Sequence, residues 1–218
     1  MNQTEFNTSY IGRRDDVLAF VPLNAKKILD IGCSDGTLGA SIKEIIDAQV
    51  VGIELSEQMA DSARKKIDRV FTGYVEKILF DDEFKGLSFD TIILADIIEH
   101  LVDPWKILNK IKDYLEPGGK IIVSLPNIRH IDTIFHLVFK GYWPYRDRGI
   151  HDRTHLRFFT KKNIFELFEK SGLLIERINT NYRIIEAPHR YNRFAKFFAF
   201  PGLRNFLAFQ YIIQSRLK

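Results

Sequence analysis

The sequence predicts an α/β fold: a doubly wound, mostly parallel sheet of seven strands in a single domain spanning residues 1–218. Three observations predict it. Short aliphatic, β-branched runs alternate with helix-length amphipathic stretches through most of the chain. The first run, Ile28, Leu29 and Ile31 around Asp30, reads as a strand buried on both faces, and it opens into a turn carrying Gly32 and Gly36. The second run ends in Glu54, which places another carboxylate at a strand tip.

In order, the pattern predicts a helix over about 13–21, a strand over 26–31, a helix over 36–47, a strand over 49–54, a helix over 56–67 and a strand over 69–73. Strand 89–95 is followed by helix 104–115, which Pro117-Gly118-Gly119 closes, and strand 119–125 ends at Pro126. An aromatic and basic insertion comes next, at about 127–158. Helix 160–171, strand 173–182, a stretch of one or two short helices inside a second insertion at about 186–207, and a last strand over 208–217 complete the chain. Such alternation builds a parallel sheet with right-handed crossovers, and ligands then bind outside the carboxyl ends of the strands.

The glycine turn narrows the ligand. A dinucleotide fingerprint needs glycine at the first, third and sixth loop positions, where this chain has Gly32, Ser34 and Thr37. No phosphate-binding P-loop pattern occurs. Asp30 would repel a pyrophosphate at the following helix N-terminus, so the loop suits a ligand that carries positive charge. Glu54 can accept hydrogen bonds from both hydroxyls of a ribose. Two acids at adjacent strand tips therefore point to S-adenosylmethionine (SAM), which has a ribose and a cationic amino group. The alternative for Glu54, read without its partner motif, is a helix-entry acid before Ser56.

The runs ILDIGCSDGTLG, GIELSEQM and FDTIILADIIEHLVDPWKILNKIKDYLEPGGKIIVSLPN resemble the class I SAM-dependent methyltransferases over nearly the whole chain. Within that superfamily the D-x-x-E-H-x-x-D-P segment is similar to ubiquinone-type O-methyltransferases, and DRTHLRFFT is similar to relatives associated with cell-surface polysaccharides. The resemblance implies a Rossmann-like sheet whose last strand is antiparallel at the edge, with a helical insertion over the active site. It implies cofactor contacts from Asp30, Gly32, Cys33, Ser34, Gly36, Glu54, Leu55, Met59, Val75, Ala95 and Asp96. Two departures stand out: Ser34 replaces the usual middle glycine, and GYVE at 73–76 lacks the acid common after the third strand, which leaves adenine recognition to backbone groups.

His100, after the fourth strand, is a candidate general base because the unperturbed imidazole titrates near neutrality; its alternative role is to brace the following helix. His155 is a second candidate base. Tyr145, His151, Arg153 and Arg157 are placed at the acceptor, the two arginines as bidentate ligands of a carboxylate or phosphate. The alternative for the His151–Arg157 segment is to latch the insertion to the sheet. No metal is expected, because no third ligand is spaced near His151 and His155. The expected substrate is a small hydrophilic, anionic acceptor such as a sugar, nucleotide-sugar or glycan end, methylated on oxygen. A quinone or other aromatic precursor is the alternative, and a non-catalytic SAM-fold binding subunit is the reading from another class. A dehydrogenase is disfavoured by the failed glycine pattern and the lack of a Tyr-x-x-x-Lys pair.

The composition is that of a globular chain, with 32 basic and 28 acidic residues and one cysteine, Cys33, which excludes an internal disulfide. The start, MNQTEFNTSYIGRR, has no basic segment followed by an apolar run, and no stretch approaches the ~20 apolar residues of a membrane span, so a cytoplasmic location is expected. Basic residues interleave with phenylalanines at 190–209, which suits peripheral contact with an anionic membrane or a packed cap. No nucleic-acid-reading motif is present.

Overall fold

The computed structural model describes residues 12–218, and residues 1–11 of the N-terminal stretch read above lie outside it. The strands are β1 (Lys27–Ile31), β2 (Gln49–Glu54), β3 (Arg69–Thr72), β4 (Phe89–Ala95), β5 (Leu115–Pro126), β6 (Leu173–Tyr182) and β7 (Ala208–Leu217). The helices are α1 (Asp15–Leu18), α2 (Thr37–Ile45), α3 (Glu57–Ala63), α4 (Val75–Ile78), α5 (Pro104–Ile111), α6 (Ile131–Phe139), α7 (Lys161–Lys170) and α8 (Arg204–Leu207). One seven-stranded sheet runs β3-β2-β1-β4-β5-β7-β6. Its first five strands are parallel, and β7 is antiparallel to both β5 and β6.

The last strand therefore lies inside the sheet and β6 forms the edge, unlike the expected arrangement. The side chains show why. Tyr211, Ile212 and Ile213 of β7 are almost fully buried, whereas most of β6 is half-exposed. An edge strand tolerates exposure, whereas β7 contributes to the cores on both faces, Tyr211 and Ile213 to one cluster and Ile212 to the other.

Alternation along β1 feeds two cores. Leu29 and Ile31 join the cluster containing Ile92, Leu94, Ile121 and Phe168. Ile28 joins the opposite cluster with Ile42, Val50 and Ile93. Asp30 shares the face of Ile28, since strand side chains alternate, and is only 2% exposed. The expected helix at 13–21 is one turn, and β5 begins at Leu115, before Pro117-Gly118-Gly119. That segment is a bulge: Phe89 pairs with Leu115 and Thr91 with Lys120.

Candidate active site

The carboxyl ends of β1, β2 and β4 open into a cavity of about 1170 Å3. This exceeds the ~300–1,000 Å3 usual for a single small-molecule site and leaves room for a cofactor and an acceptor together. Asp30, Gly32, Cys33, Ser34, Glu54, Leu55, Met59, Val75, Ala95 and Asp96 all line it. Gly36 does not. It caps α2 with φ 79°, and a Cβ there would sit 2.9 Å from the Ala63 Cα, so its part is to turn the chain and let α2 and α3 approach. Cys33 also packs: its Sγ fills the space where a Cβ on Gly52 would be, at 2.4 Å. Burial pushes its thiol pKa up and keeps it protonated.

The turn is built to present donors and acids. Ser34 takes a left-handed backbone, φ 53°, where the resemblance would place glycine, and its N–H donates to Glu54 Oε2 at 2.9 Å. The Ser56 N–H donates to Glu54 Oε1, also at 2.9 Å. Both oxygens keep a lone pair for further donors, so the carboxylate is oriented and still able to accept. Burial raises the pKa of Glu54 despite these bonds. Asp30 is pushed up to about 7 by burial and then by the Glu54 charge. Its Oδ2 has no hydrogen-bond partner among the described residues. A buried carboxyl left unsatisfied beside a second acid fits a cationic ligand group.

Asp96, immediately after β4, also has a left-handed backbone, φ 55°. Its Oδ1 accepts from Ser124 Oγ at 2.9 Å and from Gln210 Nε2 at 2.6 Å, and its Oδ2 is paired with Arg14. Arg14 is held in turn by Asp16 at 3.0 Å. Arg14, Asn181, Arg183 and Gln210 are cavity residues absent from the sequence reading. Gln210 interrupts the apolar run of β7, a signal that could have exposed it; Arg14 carries no such signal.

The two candidate histidines separate. His100 lines the cavity. The Thr154 hydroxyl donates to Asp152 Oδ1 at 2.6 Å and accepts from His100 Nδ1 at 3.0 Å. That assignment makes Nε2 the basic nitrogen of the neutral ring. Burial lowers its pKa, which keeps the ring neutral and able to accept a proton. His155 stacks edge-on behind His100, with ring centroids 4.6 Å apart, and its Nδ1 donates to the Ile150 carbonyl at 3.1 Å. Burial and the His100 charge push it down to about 4, and it does not line the cavity, so it cannot reach an acceptor as a base.

Of the expected acceptor contacts, Arg153 lines the cavity and pairs with Asp147 at 2.7 Å. Tyr145 is 70% exposed away from the cavity lining. His151 is fully buried between Glu186, 2.7 Å from Nδ1, and Thr133 Oγ1, 3.0 Å from Nε2. Arg157 is also off the cavity: its guanidinium donates to the Val102 carbonyl, and the Leu156 and Arg157 N–H groups both donate to the Glu99 carbonyl at 2.8 and 2.9 Å. The segment latches the insertion to the loop after β4.

Two groups have ligand atoms close enough for a metal ion, Glu99 with His100 and His155, and Asp132 with His151 and Glu186, each set within 4.8 Å. Third ligands for the histidines thus come from distant segments, which sequence spacing could not show. In the second group Arg146 pairs with both Glu186 and Asp132 and supplies the positive charge itself. In the first, Glu99 is buried, its pKa is raised well above the usual range by burial and then by Asp96, and its Oε2 has no hydrogen-bond partner among the described residues. Those three side chains could hold a divalent ion.

With this geometry in place, comparison with known proteins identifies the family. A family model described as a methyltransferase domain matches residues 7–178. The chain belongs to the class I SAM-dependent methyltransferases. It is 27% identical over 162 residues to the ubiquinone biosynthesis O-methyltransferase of Cereibacter sphaeroides, covering 72% of this chain and 64% of that one. The enzyme of the same name from Idiomarina loihiensis is 35% identical over 162 residues, with 69% and 63% covered. The chain thus spans less than two thirds of the length of these two relatives. The magnesium protoporphyrin IX methyltransferase of Synechocystis PCC 6803, solved with bound S-adenosylhomocysteine (SAH), has a similar fold at TM-score 0.63 and 15% identity, covering 94% of this chain and 81% of that one. No helix among the described residues is long and apolar enough to cross a membrane.

Proposed function

We propose that this protein transfers the methyl group of SAM to a hydroxyl oxygen, with His100 as general base, and that the acceptor is an aromatic precursor of the quinone type. The observation that carries the reading is the His100–Thr154–Asp152 chain of hydrogen bonds at the wall of the cavity that Asp30 and Glu54 also line. The names of the similar O-methyltransferases support the aromatic acceptor. A second reading, the hydroxyl of a sugar, nucleotide-sugar or glycan, is favoured by the polar wall of Asn181, Arg183 and Gln210.

Bound SAM supplies an electrophilic methyl on a sulfonium. Asp30 would hold its amino group, and Glu54 would accept from its ribose hydroxyls. His100 Nε2 takes the acceptor's hydroxyl proton, and Asp152, acting through Thr154, stabilises the imidazolium that results. Holding the hydroxyl in line with the methyl group can itself remove ~7–11 kcal/mol of a barrier.

The test combines SAH calorimetry with transfer of labelled methyl to a catechol and to a nucleotide-sugar. His100→Ala is expected to keep SAH affinity and lose ~10²–10⁴-fold in turnover. Unchanged turnover would remove the base from the mechanism, and transfer to the nucleotide-sugar alone would select the second acceptor.

A further inference from the structure

Five arginines line the cavity: Arg14, Arg146, Arg148, Arg153 and Arg183. Three have carboxylate partners. Arg14 pairs with Asp16 and Asp96, Arg146 with Glu186 and Asp132, and Arg153 with Asp147. Arg148 and Arg183 form no ion pair among the described residues. The acids nearest Arg183 are engaged elsewhere: Asp16 also accepts from Asn181 at 2.7 Å, and Glu186 accepts from the Ile150 N–H at 2.6 Å while facing His151 Nδ1 at 2.7 Å.

Arg183 is fixed in place. It follows β6, and its N–H donates to the Leu207 carbonyl at 2.9 Å. Its carbonyl accepts from His130 Nε2 at 2.9 Å. The guanidinium lies over the Phe209 ring, 4.0 Å from its centroid, and one arm donates to the Glu186 carbonyl at 2.9 Å. A guanidinium has five donors in a rigid fork, so this leaves donors for a ligand. Arg148 reaches the same wall through Glu186: its neighbour Gly149 packs against the Glu186 carboxylate, the Ile150 N–H donates to that carboxylate, and the Arg183 guanidinium sits on the carbonyl of the same residue. Two cationic side chains without an ion-pair partner among the described residues therefore meet the cavity from segments joined at Glu186, an arrangement that an oxyanion relieves.

We propose that Arg148 and Arg183 form an anion subsite that receives a carboxylate or phosphate carried by the methyl acceptor. This rests on the methyltransferase reading of the same cavity. It moves the anion contact expected for Arg153 and Arg157 to a different pair, because Arg153 is already paired and Arg157 braces the loop after β4. An aromatic acid and a nucleotide-sugar both present such an oxyanion.

The experiment uses the full chain saturated with SAH and titrated calorimetrically with inorganic phosphate and, separately, with benzoate. Wild type is expected to bind at least one of them. Arg148→Gln and Arg183→Gln each weaken that binding at least tenfold, Arg153→Gln changes it less than twofold, and SAH affinity stays within twofold throughout. Arg183→Lys keeps the charge and loses the fork, and is expected to fall between wild type and Arg183→Gln. Tighter benzoate binding supports an aromatic acid as the anion's source, and tighter phosphate binding supports a phosphate ester. Binding of neither anion, or equal binding by wild type and both Gln variants, overturns the subsite. Failure of wild type to bind SAH would strike the cofactor reading instead.

Discussion

Asp30 makes the cofactor half of the cavity testable by pH. Its carboxyl is pushed up to about 7, far above the ordinary aspartate range near 3.8, chiefly by burial and secondly by Glu54. A ligand ammonium placed against it restores the ionised form, so binding below pH 7 releases a proton. If the bound carboxyl returns to its ordinary range, SAH affinity at pH 5 falls ~70-fold below its value at pH 7.5, about 2.5 kcal/mol. Linkage with stability runs the other way. Because the folded pKa lies above the unfolded one, the SAH-free protein loses stability as pH rises from about 4 to 7, by up to ~4 kcal/mol. Asp30→Asn is therefore expected to melt higher than wild type at pH 7.5 without ligand, yet to bind SAH more weakly there. Calorimetry in buffers of different ionisation enthalpy counts the proton: close to one released at pH 6 by wild type, and a much smaller fraction by Asp30→Asn, where Glu54 is left as the raised carboxyl. Equal proton release by the two proteins would refute the role given to Asp30.

Two further outcomes can be checked on the same protein. Gly36→Ala should lower stability by ~2 kcal/mol or more, since it forces a Cβ into a left-handed position against the backbone of α3, where rotation gives no escape; a denaturant midpoint equal to wild type would contradict this. The protein should sediment with vesicles rich in acidic lipid at low salt and be released by added salt. That expectation comes from α6, which buries Thr133 and His136 while Val138 and Phe139 are 67% and 75% exposed, and from the basic stretch where Phe197 is 82% exposed. Phe197→Glu with Phe198→Glu should abolish sedimentation while the protein stays folded. Equal recovery in the supernatant with acidic and neutral vesicles would leave these phenylalanines as a surface cap.

The cofactor half was legible because each part of it is local. Ile28 to Gly36 is one strand and its turn, and Glu54 ends the neighbouring strand, so strand periodicity and glycine placement were enough to locate the cradle. Boundaries of β2 and β4 were readable for the same reason, since each is a short, largely aliphatic run, and those of β6 and β7 from longer runs rich in aliphatic and aromatic residues, β6 opening just after Gly172. The position of β7 was not, because insertion between β5 and β6 depends on pairings such as Val123 with Ile213, which no local pattern encodes. The inverted polarity of α6 was equally hidden. Its buried histidine is satisfied within the helix by the Asp132 carbonyl, 2.8 Å from Nδ1, but Thr133 is satisfied by His151, a contact that exists only once the insertion folds back.

The acceptor half is assembled across the chain, and Asp96 shows what that assembly does. Three partners converge on its carboxylate: Arg14 from the N-terminal segment, Ser124 from β5 and Gln210 from β7. Of these only Gln210, which breaks the apolar run of β7, carries a signal in the sequence. Together they hold an aspartate in a left-handed backbone conformation, which costs ~1–2 kcal/mol relative to an ordinary one. The strain is sustained because the surrounding structure over-determines the residue. The same turn carries the chain from β4 towards Glu99 and His100, so the network that fixes Asp96 also sets where His100 meets the cavity. Glu99 then accepts two N–H groups from Leu156 and Arg157 through its carbonyl, which ties the loop bearing Thr154 and Asp152 to that turn. The proposed base, its orienting carboxylate and the proposed acceptor wall are in this way referenced to one residue. Substitutions at Ser124 or Gln210, neither of which is a proposed base, would act on catalysis by loosening that reference.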